Sequence, residues 1–477
     1  MTNGSCGLFK KIKSDDQNNH QKLNLLTTQK SKRSINHKTM FRRAVIFLIL
    51  LVTIVANSMA QPFDPALASQ LQNTIDSIRT ANNIKGISAC IIYPGVGTWK
   101  DVSGISHPGT PINSDMEFGI ASNTKLFTGV LILKLEENNL LDLDDSLHEH
   151  LPTYNNIDSN ITIRQLLNHT TGLYDVTSVP GYPDSILNDP NRIYTPDELL
   201  TWAEPPLFAP GTGWNYCNTN YLLAGLIAES VTGQSYGQLL RDSILTPLQL
   251  DSTFLDVYES VLYTVAHPWQ NGFNNNGIPR ISLNSAAWAA GAMYSNASEM
   301  TQWYEALMNG QVINNNSFNE MTTFVGSGNY GIGIGEVVIS GRTVWTHGGA
   351  IWGGYNSSMM YDTANGVIIC VLINQFPAVA FQVASQLLSN IVNNPVGIAE
   401  NHLDEPLINV YPNPGSNIVD ILLDEQLFQG ISIISPSGKL LNKHSSQSFS
   451  VANLTNGLYF LHIHTNHGVY VRKFIKR

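Results

Sequence analysis

The sequence predicts an α/β (α+β) fold: an antiparallel sheet flanked by helices, with a mostly helical insertion, followed by a small C-terminal β-sandwich. Three observations predict it. Strand-like runs stand at both ends of one long segment, near residues 86–105 and 337–373. Helical, loop-rich sequence separates them, and strands far apart in a chain can share one sheet when the residues between form a further layer. Past residue 394 the composition shifts to short alternating strands with turns, the pattern of an independent sandwich.

The length supports this division, since 477 residues with 43% hydrophobic content suffice for two or three cores. The expected domains are an N-terminal extension with signal peptide over 1–60, a main domain over 61–395 with the insertion at about 150–285, and a last domain over 402–477. Phe41-Arg42-Arg43 precedes the apolar run Ala44 to Ala56, and Asn57-Ser58-Met59-Ala60 puts small residues before a cut after Ala60. This is the pattern of a secretory signal peptide. The apolar run is too short for a membrane anchor, which needs roughly 20 residues. Met40 stands where a shorter signal peptide would start.

Charge narrows the partners. Ten of the 26 Lys and Arg but only two of the 36 acids fall in the first 60 residues, leaving 16 basic against 34 acidic residues, a balance of −18. Such a surface does not suit nucleic acid. Of four cysteines, Cys6 lies in the segment expected to be lost, and Cys90, Cys217 and Cys370 remain. An odd count defines no disulfide framework. Cys90 and Cys370 sit in apolar strands and are read as small buried hydrophobes rather than a bridge.

The elements follow in order. Pro65 to Asn82 reads as a helix, with Asp64 as N-cap and Leu67, Leu71, Ile75 and Ile78 at helical spacing. Gly86 to Tyr93 is a strand, Pro94-Gly95 a turn, and Thr98 to Ile105 the returning strand. A second apolar helix covers Lys125 to Asn138. Near the other end, Thr343 to His347, Ser357 to Tyr361 and Val367 to Ile373 are strands, the last two joined across Asn365-Gly366. Ala378 to Val392 can close the sheet as a helix, and Pro436-Ser437-Gly438-Lys439 marks a turn of the last domain.

Chemistry concentrates at three places. Ser122-Asn123-Thr124-Lys125 sets a hydroxyl and an amine three residues apart, on one face of a helix. A serine hydroxyl is a weak nucleophile, and an amine of depressed pKa can take its proton. At the first helical turn the Ser122 backbone N–H can also donate to an oxyanion. Such a pair arises by chance in a long chain, but two further motifs accompany it. Tyr216-Cys217-Asn218 begins 94 residues later, and His347-Gly348-Gly349 begins 131 residues after Tyr216, on an expected edge strand.

In order and spacing these motifs resemble the serine β-lactamase and penicillin-binding-protein superfamily, in the branch of class C β-lactamases, D-Ala-D-Ala carboxypeptidases and esterases. Leu166 to Leu173, Pro247 to Leu250 and Gly291 to Ser295 extend the resemblance over about residues 65–392. It implies Ser122 as the acylated nucleophile, with Lys125 and Tyr216 sharing general-base and general-acid work. Asn218 would bond Lys125 and the substrate, His347 replaces the usual lysine of the third motif, and Gly348 and Gly349 let substrate lie close to the strand. The backbone N–H groups of Ser122 and Ala350 would form the oxyanion hole. Neither a metal nor another cofactor is implied. The substrate is a small molecule or peptide: a D-amino-acid peptide, a small ester or a β-lactam. A different class, a sensor or binding module that no longer turns over, has against it the intact Ser122, Lys125 and Tyr216. No oligomeric state follows.

Other clusters carry less. Gly331-Ile332-Gly333-Ile334-Gly335 is read as a strand rather than a phosphate loop. His148-Glu149-His150 and the histidines at 462, 464 and 467 are read as surface residues, and His169 as a structural cap. Tyr411-Pro412-Asn413-Pro414, Gly457 to Ile463 and the basic end from Lys473 to Arg477 are similar to the C-terminal sorting domains of type IX secretion. That likeness implies the export machinery as partner and a secreted or cell-surface location.

Overall fold

The computed structural model describes residues 63–277, 280–393, 408–415, 417–423, 427–435, 439–466 and 468–477. The expected signal peptide, the Asn394-Pro395 boundary and Pro436 to Gly438 of the expected turn lie outside them. The chain divides into two compact units, Met1–Asn394 and Pro395–Arg477.

In the first unit, α1 (Pro65–Ala81) starts where Asp64 accepts the Leu67 N–H at 2.7 Å, and it buries Leu67, Leu71 and Ile75. The chain then enters β1 (Gly86–Tyr93), β2 (Gly97–His107) and the short β3 (Thr110–Pro111). The central helix α2 (Thr124–Glu137) is buried on nearly every side from Thr124 to Leu133, which is why its sequence is apolar all round rather than striped. Short helices and loops follow, including α3 (Asn218–Thr232) and α4 (Arg280–Gly291). The chain returns through β4 (Gly335–Ile339), β5 (Arg342–Ile351), β6 (Tyr355–Asp362) and β7 (Ile368–Ile373), and α5 (Ala380–Asn393) packs against β6, β7 and α1.

These strands form one seven-stranded sheet in the order β3-β2-β1-β7-β6-β5-β4, all pairs antiparallel. The β1–β7 pairing joins the two ends of the unit and leaves the helical layer between them in sequence. Cys90 and Cys370 are opposite each other in that pairing, buried and unbridged, and Cys217 is buried and free as well.

One expectation fails. Gly331–Ile334 is not a strand, and regular pairing starts only at Gly335. Gly333 has φ +70°, and a Cβ there would press on the backbone of Leu126 and Lys125. The glycine run is a close-packed turn against α2, where alternation in sequence mimics a strand. The histidines of the Leu147–His150 helix bond locally, His150 to Asp145 at 2.9 Å and His148 to Ser146 at 2.8 Å.

Glu117 is a liability within this unit. It is 0% exposed, and among the described residues neither carboxylate oxygen has a hydrogen-bond partner. Burial, with Glu299 and Asp256 adding repulsion against the pull of Arg280, raises its pKa from 4.5 to about 7. A raised folded pKa means the fold prefers the neutral acid, so stability declines as pH climbs through that window. Glu117→Gln should therefore stabilise the protein by about 1–3 kcal/mol at pH ~8 and much less at pH ~5. Denaturant melts at the two pH values check this, and equal gains at both would refute it.

The second unit is two small antiparallel sheets. One holds β8 (Asn409–Tyr411), β9 (Ile418–Leu422) and β12 (Ser448–Ser450) in the order β8-β9-β12. The other runs β11 (Leu440–His444), β10 (Phe428–Ile434), β13 (Gly457–Thr465) and β14 (Gly468–Lys476). Val419, Ile421, Ile433, Leu461, Ile463 and Phe474 fill one core between them.

Candidate active site

Ser122 lies in a tight turn, Ala121–Asn123, that runs straight into α2. Ala121 holds φ +50°, unusual for a residue with a Cβ and worth about 1–3 kcal/mol of strain. Two bonds clamp the turn: Ser357 Oγ of β6 donates to Ile120 O at 2.7 Å and accepts from Asn123 Nδ2 at 2.8 Å. The first turn of the central helix is thus pinned to the sheet, with Ser122 left half-exposed at its mouth.

Lys125 is 0% exposed. Its Nζ lies 3.2 Å from Ser122 Oγ, 2.7 Å from Asn218 Oδ1 and 2.7 Å from the carbonyl of Ala290. It also stands over the rings of Tyr216 and Tyr221, at 4.9 and 5.5 Å. Burial pulls its pKa down from 10.5 to about 7, although Asp175 opposes the fall. The Ala290 carbonyl is presented by a break in α4, where Trp288 takes φ 32° and ψ −120°. Asn218, at the start of α3, is held in turn, its amide donating to Asp175 Oδ2 at 3.0 Å and Thr177 Oγ1 at 3.1 Å.

Tyr216 stands half-buried just before α3. Its hydroxyl is enclosed, burial raises its pKa, and hydrogen bonding to the nearby Ser122 hydroxyl counters part of the rise. His169 packs its ring 4.4 Å from that of Tyr216 and accepts the Cys217 N–H at 3.2 Å. It holds a left-handed φ of +65°, and burial keeps it well below the usual histidine range, a support for Tyr216 rather than a titrating group.

The third motif carries no charge near neutral pH. His347 is 6% exposed, its Nδ1 is 2.7 Å from Gly348 O and its Nε2 is 2.8 Å from the Tyr330 hydroxyl. A carbonyl can only accept, so Nδ1 carries the proton and Nε2 accepts from Tyr330. Burial, then the charge of Lys125, drives the pKa to about 3. The ring therefore stays uncharged near neutrality, with both nitrogens engaged inside the protein, and does not supply the charge of the lysine it replaces. Gly348 and Ala350 are exposed on β5, and Gly349 is buried against Ile120 and Ala121.

Ser122, Asn218 and Ala350 line one cavity of about 240 Å³ together with Thr177 and Tyr182. The sequence reading missed Asp175, which follows the quoted Leu166 to Leu173 segment closely enough to have been noticed. It also missed Tyr330 and the Ala290 carbonyl, for which no local pattern exists.

This fold and this cluster define a class. The chain matches the Beta-lactamase family over residues 71–391 and belongs to it, and residues 409–477 match the secretion system C-terminal sorting domain. Among solved structures it is similar to a D-stereospecific amidohydrolase from Streptomyces sp., 30% identical with TM-score 0.60, covering 67% of this chain and 97% of that one. A D-amino acid amidase from Ochrobactrum anthropi SV3 is 26% identical with TM-score 0.60, covering 68% of this chain and 99% of that one. The curated relative Protein flp of Staphylococcus aureus (strain MW2) is 42% identical over 144 residues, 29% of this chain. That stretch spans only 28% of the relative's own length. Family members are serine hydrolases acting on amides or esters, and the C-terminal unit is a type IX sorting domain.

Proposed function

We propose that the protein is an exported serine hydrolase that forms an acyl-enzyme at Ser122 from the amide or ester of a D-amino acid, or from a small ester. The observation that supports this most directly is the hydrogen bonding of Lys125. A neutral amine has two N–H donors and one lone pair. Asn218 Oδ1 and Ala290 O, each at 2.7 Å, take the two donors, which turns the lone pair toward Ser122 Oγ. Lys125 can then accept the hydroxyl proton, and the buried Tyr216 hydroxyl can pass it to the leaving group. The N–H groups of Ser122 and Ala350, on one cavity, would hold the oxyanion. The amidase neighbours favour a D-amino-acid acyl group over a β-lactam. So does the third motif, which offers a penicillin carboxylate neither a cation nor the hydroxyl that Gly348 lacks.

The test is a panel of D- and L-phenylalanine amide, a D-Ala-D-Ala peptide, p-nitrophenyl acetate and nitrocefin. Turnover of the D-amide or ester is expected, with nitrocefin weaker by about 10- to 150-fold for each missing hydrogen bond to its carboxylate. For p-nitrophenyl acetate, kcat/KM should fall about tenfold per pH unit below about 7, where Lys125 gains a proton, and level off above. His347, at about 3, adds no inflection near neutrality. Efficient nitrocefin hydrolysis would overturn the substrate assignment, and a rate that rises toward pH ~6 would overturn the role of Lys125.

A further inference from the structure

The Ser122 cavity adjoins a second one of about 830 Å³, and Leu283, Ile351 and Trp352 line both. Besides these three, Ile186, Leu187 and Phe273 line the outer cavity, with amide side chains such as Asn274 and Asn284 on the same wall. Among its described lining residues the charged one is Arg280, which is already paired, Nε donating to Asp256 at 2.7 Å, with its guanidinium 4.7 Å from the Tyr294 ring. Leu187 and Phe273 stand 53% and 74% exposed at its edge. Large apolar side chains left in water around a concave apolar space mark a binding surface.

Strand β5 gives the cavity a direction. His347, whose ring is 6.2 Å from that of Tyr216, lies on one side of Ala350, and Ile351 and Trp352 lie on the other. A leaving group must face the residues that return its proton, so it belongs at the Tyr216 end. The substituent on the acyl carbon then points past Ala350 toward Trp352.

Resting on the hydrolase reading above, we infer that the outer cavity is an acyl-side specificity pocket for an uncharged apolar substituent, aryl or alkyl, of about five carbons or more. A methyl side chain would leave it empty. Each methylene buried there contributes up to about fourfold to kcat/KM, an upper figure when the group is only partly enclosed.

The experiment compares p-nitrophenyl hexanoate with p-nitrophenyl acetate, which share one leaving group, in the wild type and in Leu187→Asp and Phe273→Asp. Both positions are exposed at the cavity edge, so neither change empties the core, and the hexanoate-to-acetate ratio uses each protein as its own reference. The wild-type ratio should exceed about 20, and either carboxylate should lower it at least about fivefold. A wild-type ratio near one overturns the pocket while turnover of acetate leaves the hydrolase reading standing. A high ratio unchanged in both variants also overturns it, since the chain would then lie elsewhere. No turnover of either ester, with no fluorophosphonate labelling, overturns the hydrolase reading and this inference with it.

Discussion

Ser122→Ala is expected to abolish turnover and fluorophosphonate labelling while the melting temperature stays within a few degrees of wild type. The hydroxyl sits half-exposed at the cavity, and its recorded partner is Lys125 Nζ at 3.2 Å, so its loss removes little packing. Lys125→Ala should cost roughly 10²–10⁴-fold in acylation, the usual span for a positioned base. Lys125→Arg should not rescue it, because a guanidinium cannot lose its proton. The lysine variants carry a second signature. Lys125 is fully buried among Asn218, Ala290 O and two tyrosine rings, so truncation also leaves buried acceptors unpaired. Melting curves should thus separate Lys125→Ala, destabilised, from Ser122→Ala, near neutral. Labelling of Ser122→Ala at another serine would show that the nucleophile lies elsewhere.

The sequence exposed the parts of the site that depend on short-range spacing. Ser122 and Lys125 are three apart where the Ala121–Asn123 turn winds into α2, and their 3.2 Å approach follows from that continuous helical winding. The edge of the fold was legible for a similar reason: Asp64 before Pro65 caps α1, and Asn365-Gly366 turns between β6 and β7. What stayed hidden depends on long-range burial. Nothing near His347 in sequence says that Tyr330 will occupy Nε2, or that burial, with Lys125 nearby, will suppress a charge. The alternation of Gly331 to Gly335 suggested a strand because glycines and isoleucines alternate, whereas the backbone of Leu126 dictates the turn. The break at Trp288 that presents Ala290 O lies inside a stretch with ordinary helical composition. Its φ of 32° could not be read from residue type, since tryptophan rarely adopts it.

Gly349→Ala should nearly silence the enzyme, whereas Gly348→Ala, one residue away, should lose less than about tenfold. The two glycines face opposite sides of β5, as neighbours in a strand must. A Cβ on Gly348 would meet only Ser357 O at 3.8 Å, an ordinary contact. A Cβ on Gly349 would overlap Ile120 O and Ser357 Oγ and come within 3.1 Å of Ala121 Cβ. Those are the atoms that clamp the Ser122 turn: Ser357 Oγ donates to Ile120 O and holds Asn123. Neither backbone oxygen nor strained Ala121 can give way cheaply, so β5 must move away from α2. That movement separates the Ala350 N–H from the Ser122 N–H, and a displacement of about 1 Å between catalytic groups costs on the order of 10²-fold. Overpacking adds about 1–3 kcal/mol of destabilisation. Measuring kcat/KM on p-nitrophenyl acetate with melting curves for both variants checks the asymmetry. Equal effects at the two positions would mean that β5 does not form one wall of the oxyanion site.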